Sequence, residues 1–225
     1  MGKDGQPKHK QEAREIRRKK ASRGMYERVL IVCEGEKTEP NYLNELRSYF
    51  KLQTANVTVR PSKLGTEPMQ IVQFAQQLFE QGDGRQGLAK REFDRIYAVF
   101  DRDDHQTYHE ALAYCSKHTM TFKNNEGQRV PLIAVASVPC FELWLLLHYE
   151  DVLEALHRND VYARLKRCLA DYEKGNSGYW PRLLPLLAEA QRRSQAMAQR
   201  HSPEDGQQPC TAIGGLVAYL GQLKS

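Results

Sequence analysis

Val29-Leu30-Ile31-Val32-Cys33-Glu34-Gly35 decides the fold: five apolar residues in a row, then a carboxylate and a glycine. A short continuous apolar run, rich in β-branched residues, suits a strand buried on both faces, as in a parallel sheet covered by helices. Thr38-Glu39-Pro40 follows at once. A hydroxyl suited to capping, an acidic first-turn residue and an early proline predict a helix start. Apolar residues at 42, 43, 46, 49 and 50 give that helix one buried stripe.

The alternation continues downstream. Residues 56–60 alternate as a second strand, and Thr66-Glu67-Pro68 opens a helix with Ile71, Phe74, Ala75 and Leu78 on its buried side. The glycine-bearing segment 81–90 reads as a loop. Arg95 to Phe100 forms a third strand that runs directly into Asp101-Arg102-Asp103-Asp104-His105, with a helix over about 106–118 behind it. Residues 130–137 make a fourth strand, and Pro139 begins an apolar helix over 140–148. Beyond it only helices are expected, over about 159–172, 180–200 and 211–222. The pattern predicts an α/β fold: a mostly parallel four-stranded sheet flanked by helices, with a C-terminal helical extension. Right-handed crossovers would bring all four strand C-termini to one edge, where open sheets bind their ligands.

Bulk composition narrows the class. No apolar run reaches the roughly 18 residues of a membrane span, and the N-terminus carries no apolar signal segment. Five scattered cysteines without a Cys-x-x-Cys pair argue against a disulfide framework and a cysteine zinc site. The expectation is a cytoplasmic protein with no membrane contact. The net charge of +5 is concentrated: residues 1–28 hold ten Lys/Arg against four Asp/Glu. Within that arm Arg17, Arg18, Lys19 and Lys20 could follow a phosphate backbone, although a solvated tail accounts for them as simply.

Three carboxylates at expected strand ends, Glu34, Asp101 and Asp103, are the strongest chemical signal. A strand's side chains repeat every two residues, so Asp101 and Asp103 point the same way if the strand geometry persists. Like charges held close need something positive between them, and hard oxygen donors suit Mg²⁺ or Mn²⁺. Such an ion can clamp a phosphate and activate water. Arg102 and Lys37 are the neighbouring phosphate-contact candidates, and His105 is near enough to serve as base or ligand. His109 is expected on the helix surface, and Glu36 and Glu39 at a helix N-terminus. Glu142 lies in a helix that is apolar nearly all round, so its carboxylate needs a partner or a metal.

Val32-Cys33-Glu34-Gly35 and Phe100-Asp101-Arg102-Asp103 together resemble the signature of a Toprim domain, found in topoisomerases, primases and nucleases of the overcoming-lysogenisation-defect class. More narrowly, residues 31–42, Val99 to His105 and Pro139 to His148 resemble the RloB-like family, in order and through most of the chain. Two departures stand out. Ser137-Val138-Pro139 replaces the usual Ser-Asn-Pro, and Pro209-Cys210-Thr211 stands where the family usually has Asn-Pro-Ser-Thr.

The resemblance implies a Toprim-like catalytic core over 26–150, between a basic arm (1–25) and a helical extension packed on the core (151–225). By that analogy Glu34 is a general acid/base or metal ligand, and Asp101 and Asp103 hold Mg²⁺ or Mn²⁺. Glu142 would complete a second metal site. The implied function is a metal-dependent nuclease acting on DNA or RNA in prokaryotic phage defence, beside an AAA/ABC-type ATPase, with homo-oligomer formation left open. The alternative is a catalytically weak nucleic-acid-binding or nucleotide-binding subunit of such an ATPase complex.

Overall fold

The structure, a computed structural model, describes residues 27–54 and 56–223. The basic arm, with Arg17, Arg18, Lys19 and Lys20, lies outside the described residues. The central sheet is built on β1 (Val29–Cys33), β2 (Val57–Pro61), β3 (Arg95–Asp101), β6 (Leu132–Val138) and β7 (Cys210–Thr211), in the order β2-β1-β3-β6-β7. The first four run parallel. β7 adds an antiparallel edge, with Ser137 opposite Thr211 and Val138 opposite Cys210. The sheet therefore has five strands rather than the four expected, because two residues before the last helix pair with β6.

All five residues of β1 are buried, as a strand covered on both faces requires. Val29, Ile31 and Cys33 face one core together with Leu43 and Leu46 of helix α1 (Thr38–Tyr49). Leu30 and Val32 face the other, against Ile71 and Phe74 of helix α2 (Pro68–Gln81) and Ala111 of helix α3 (Tyr108–His118). The first two crossovers thus cover opposite faces, and the third, α3, joins α2. The chain moves from β1 outward to β2, then back across β1 to β3. The C-terminal ends of β1 and β3 consequently flank the point where the winding reverses, the crevice in which such sheets bind ligands.

Residues 130–137 do not form one strand. Pro131 separates β5 (Arg129–Val130), which pairs antiparallel with β4 (Phe122–Lys123), from β6. The apolar helix is shorter than the expected 140–148: α4 spans Glu142–Leu146, and i→i−3 bonds such as Leu143 N–H to the Cys140 carbonyl tighten its ends. After α5 (Arg158–Cys168), the expected helix 180–200 divides into α6 (Trp180–Leu183), a 3₁₀ turn at Leu184–Leu186 and α7 (Leu187–Ala198). Pro185 sits in that turn, where its ring and missing N–H disfavour an uninterrupted α-helix. Helix α8 (Ile213–Gln222) begins after β7.

The C-terminal helices are integral to the sheet's packing. Val161, Leu165, Leu183, Met197, Leu216 and Leu220 belong to the same buried cluster as Val29, Ile31 and Leu43. Leu216→Ala should cost about 2–5 kcal/mol of unfolding free energy, measured by urea denaturation, although Leu216 lies far along the chain from β1 (2 % exposed).

Candidate metal centre at the β1 and β3 strand ends

Parallel pairing of β1 with β3 places Cys33 opposite Val99. One residue on, the Glu34 N–H donates to the Val99 carbonyl (2.9 Å), and the Asp101 N–H donates to Glu34 Oε2 (2.9 Å). Glu34 is thereby held by one carboxylate oxygen, leaving Oε1 towards His105. Gly35 makes the next turn. A side chain there would run into the carboxylate of Glu39, which folds back from the first turn of α1.

The strand geometry does not persist past Asp101, so Asp101 and Asp103 do not point the same way. β3 ends at Asp101, and Asp103 adopts a left-handed backbone (φ +30°) with its N–H on the Pro139 carbonyl (3.1 Å). Asp101 turns inward, is 4 % exposed, and accepts a hydrogen bond from the Phe141 backbone. Asp103 turns outward, with Arg158 Nη1 2.7 Å from Oδ2 and its buried Oδ1 without a hydrogen-bond partner.

His105 follows on the same loop. Its Nε2 lies 3.3 Å from Glu34 Oε1, and its Nδ1 lies 3.1 Å from Glu67 Oε1. Glu67 caps α2, and its other oxygen accepts from the Thr107 hydroxyl (2.8 Å). The two Thr-Glu-Pro segments thus act differently. Thr38 is already inside α1 after the cap residue Lys37, whereas Glu67 is itself a cap and reaches across to the loop.

Among the described residues, the group able to bring three metal-binding atoms together is Glu34, Asp103 and His105, with those atoms all within 4.8 Å of one another. Asp101 and Glu142 do not belong to this group; they form an inner layer with Glu39. Glu142 is 3 % exposed, accepts from the Tyr172 hydroxyl (3.1 Å) and has Lys174 Nζ at 4.0 Å. Glu39 is equally buried, and its Oε2 has no hydrogen-bond partner.

Electrostatics follow from this layering. Burial pushes the Asp101 carboxyl well above the usual range, helped by the charges of Glu34, Glu39 and Glu142. Burial likewise raises Glu39 to about 7, with Glu34 and Glu142 adding to it. Glu34 is raised by burial against the opposing bonds from Asp101 and His105. Asp103 is raised by burial too, although Arg158 and Lys174 pull the other way. Burial acts against charge on His105, but its bonds to Glu67 and Glu34 outweigh that and raise it. The Thr107 hydroxyl and His105 hold Glu67 low.

The remaining expected residues fall as follows. Arg102 turns back on its own loop, donating to the Asp103 and His105 carbonyls (both 3.1 Å) and lying over the Tyr108 ring. It braces the loop instead of facing the crevice. Lys37 and Glu36 are exposed, with the Lys37 stem against Gly175. His109 is exposed on α3 and lies outside the three-residue group. Sequence reading missed Glu67, Arg158, Tyr172 and Lys174, which reach the site from other elements. Only the buried-carboxylate argument for Glu142 hinted that partners such as Tyr172 and Lys174 were needed.

A model of the RloB-like protein family matches residues 29–220, and the chain belongs to that family. No curated protein and no solved structure matches the chain significantly. The two departures from the family's usual wording, Val138 and Cys210, are register partners across β6 and β7, and both are buried. An apolar pair fills that position beside the site.

Glu39 also yields a pH prediction. Its carboxyl titrates higher folded (about 7) than its ordinary 4.5, so the stability it contributes is fully present below 4.5 and lost as pH rises through 7. At pH 8 in the presence of chelator, Glu39→Gln should therefore be more stable than the parent by on the order of 3 kcal/mol, seen as a higher melting temperature, with the gain vanishing near pH 4.5. A pH-independent difference in melting scans would contradict this account.

Proposed function

We propose that this RloB-like protein is a divalent-metal-dependent phosphodiesterase, a nuclease acting on DNA or RNA. The observation that carries the reading is the convergence of Glu34, Asp103 and His105 at the winding reversal of the sheet. The donor set fits an ion: two oxygens and one imidazole nitrogen suit Mn²⁺, and Mg²⁺ through the carboxylates. The orphaned, buried Asp103 Oδ1 is a donor-atom position awaiting a partner. The resemblance of the two strand-end motifs to a Toprim site supports the same chemistry.

Glu34, Asp103 and His105 would hold the ion, with Asp101 as a buried neighbour and Glu142 on the inner layer. When bound, such an ion polarises a phosphoryl oxygen and lowers the pKa of a water molecule. The protein's own groups do the rest. The Asp101 N–H keeps Glu34 Oε2 fixed, so that Oε1 is the oxygen available to a ligand or a proton. Glu67 orients His105 through Nδ1 and sets which nitrogen faces the crevice, the usual arrangement behind a metal-binding histidine. Arg102 keeps the 102–105 loop folded through two carbonyl contacts. The proposed biological setting, a phage-defence effector working with an AAA/ABC-type ATPase, rests on family resemblance.

A second reading is a binding subunit that holds a nucleotide or nucleic-acid end without cutting it. The placement of the Arg158 guanidinium on Asp103 favours it, since that contact competes with an ion.

Purified protein should be incubated with plasmid DNA, single-stranded DNA and total tRNA, each with Mg²⁺, Mn²⁺ or EDTA. Metal-dependent loss of one substrate is expected, reduced at least about 100-fold in Asp103→Ala, as when one preorganised charge-stabilising group is removed elsewhere. Cleavage that survives EDTA or the substitution would overturn the assignment. Binding of a substrate without cleavage would move the reading to the second.

His105 offers a test independent of turnover. His105→Ala should weaken Mn²⁺ binding more than Mg²⁺ binding, read by calorimetry, because it removes the nitrogen donor, and Glu67→Gln should weaken Mn²⁺ about 10–100-fold.

A further inference from the structure

We infer that Arg158 and Lys174, both from the C-terminal third, form a phosphate-binding subsite over the Glu34–Asp103–His105 group. The inference rests on the phosphodiesterase reading above and names which cations meet the substrate anion. The ligand chemistry is a phosphoryl group, carried either by a nucleic-acid backbone or by a free nucleotide.

Arg158 opens α5, and Lys174 lies in the loop between α5 and α6. Although distant in sequence from β3, both reach the same acidic crevice. Arg158 Nη1 donates to Asp103 Oδ2, and Lys174 Nζ lies 4.0 Å from Glu142 Oε1. Both side chains are about half exposed, 43 % and 54 %, so their charged heads lie at the crevice mouth and not in the core. They are also electrostatic neighbours of one another: Arg158 opposes the charge on Lys174, and Asp103 feels both. Like charges at one crevice repel, and an anion taken up by both relieves that repulsion.

Neither cation is fully committed. Among the described residues, Arg158 uses one nitrogen of a guanidinium that carries five N–H donors in a planar fork. Lys174 makes no hydrogen bond among the described residues; its ion pair with Glu142 is at the limit of contact. An ion on Asp103 would compete with Arg158 for that carboxylate and leave the guanidinium's N–H donors free for another anion. A phosphate oxygen is the ligand that matches such a fork.

The loop carrying Lys174 is built to stay where it is. The Gly175 N–H donates to Thr38 Oγ1 (3.0 Å), and Asn41 Nδ2 donates to the Gly175 carbonyl (3.0 Å), tying the loop to the start of α1. Gly175 has a positive φ of +85°, and the Lys37 stem packs against its bare Cα, where a Cβ would lie 3.3 Å away. The helix that follows Glu34 and Gly35 therefore positions Lys174 as well, so β1, α1 and the loop register the cation against the carboxylates.

Binding to the full chain should be measured in Ca²⁺ by fluorescence anisotropy, with a labelled trinucleotide and a labelled adenosine monophosphate. Arg158→Gln/Lys174→Gln should weaken trinucleotide binding at least about tenfold and reduce the salt slope by about two. Arg182→Gln/Arg192→Gln removes the same net charge from exposed sites elsewhere and should bind like the parent. Arg158→Lys/Lys174→Arg should recover part of the affinity. Loss confined to the trinucleotide identifies a backbone subsite, and equal loss for the monophosphate identifies a nucleotide subsite; either supports the inference. Unchanged affinity in the double variant overturns the subsite while leaving the nuclease reading standing. Tight, Arg158- and Lys174-dependent binding without cleavage in Mn²⁺ overturns the nuclease reading and leaves the subsite. Absence of binding by the parent chain overturns both.

Discussion

The hydrogen bond from the Asp101 backbone to Glu34 Oε2 is the contact on which the site depends. It joins the ends of the two central parallel strands and exists because their register sets Cys33 against Val99. A strand pair slipped by one residue would send each side chain to the opposite face. Glu34 would then lose its donor, and Asp101 would lose the buried position that Phe141 and the inner carboxylates define. The apolar packing of β1 on both faces is what prevents that slip, with α1 and the C-terminal helices on one side and α2 and α3 on the other.

Holding that register brings carboxylates together at high electrostatic cost. Among the described residues, Glu34, Glu39, Glu67, Asp101, Asp103 and Glu142 gather at the crevice, where Arg158 and Lys174 pair with Asp103 and Glu142. The molecule manages this in three ways. Asp101 and Glu39 are pushed towards their neutral forms by burial. Glu34 and Glu67 share one imidazole. The remaining imbalance is of the sign a divalent cation would correct. Stability given up in this way is concentrated at functional sites.

The 102–105 loop separates the two acidic layers. Asp103 takes a backbone conformation costly for a residue with a Cβ, and Arg102 and Pro139 hold it there through backbone contacts. The result is one aspartate in the inner layer and one beside Glu34 and His105. The C-terminal third closes the arrangement from above, supplying Arg158, Tyr172 and Lys174 while its helices fill the core beneath. The same segment thus contributes to the packing of the sheet and to the charge of its ligand edge.

Local sequence determined a good deal. The unbroken apolar run of β1, the strand leading into Asp101 and the alternation with amphipathic helices specify a parallel α/β sheet with Glu34 and Asp101 at one edge, because burial on two faces leaves a periodicity visible along the chain. Tertiary structure decided the rest. β7 is two residues long, too short for any periodic signal, and exists only because β6 offers it an edge. That Asp103 and not Asp101 faces His105 depends on one positive φ after the strand. Glu67, Arg158 and Lys174 converge from three separate elements, and nothing in their own neighbourhoods encodes a meeting that only the packing of those elements on one sheet edge produces.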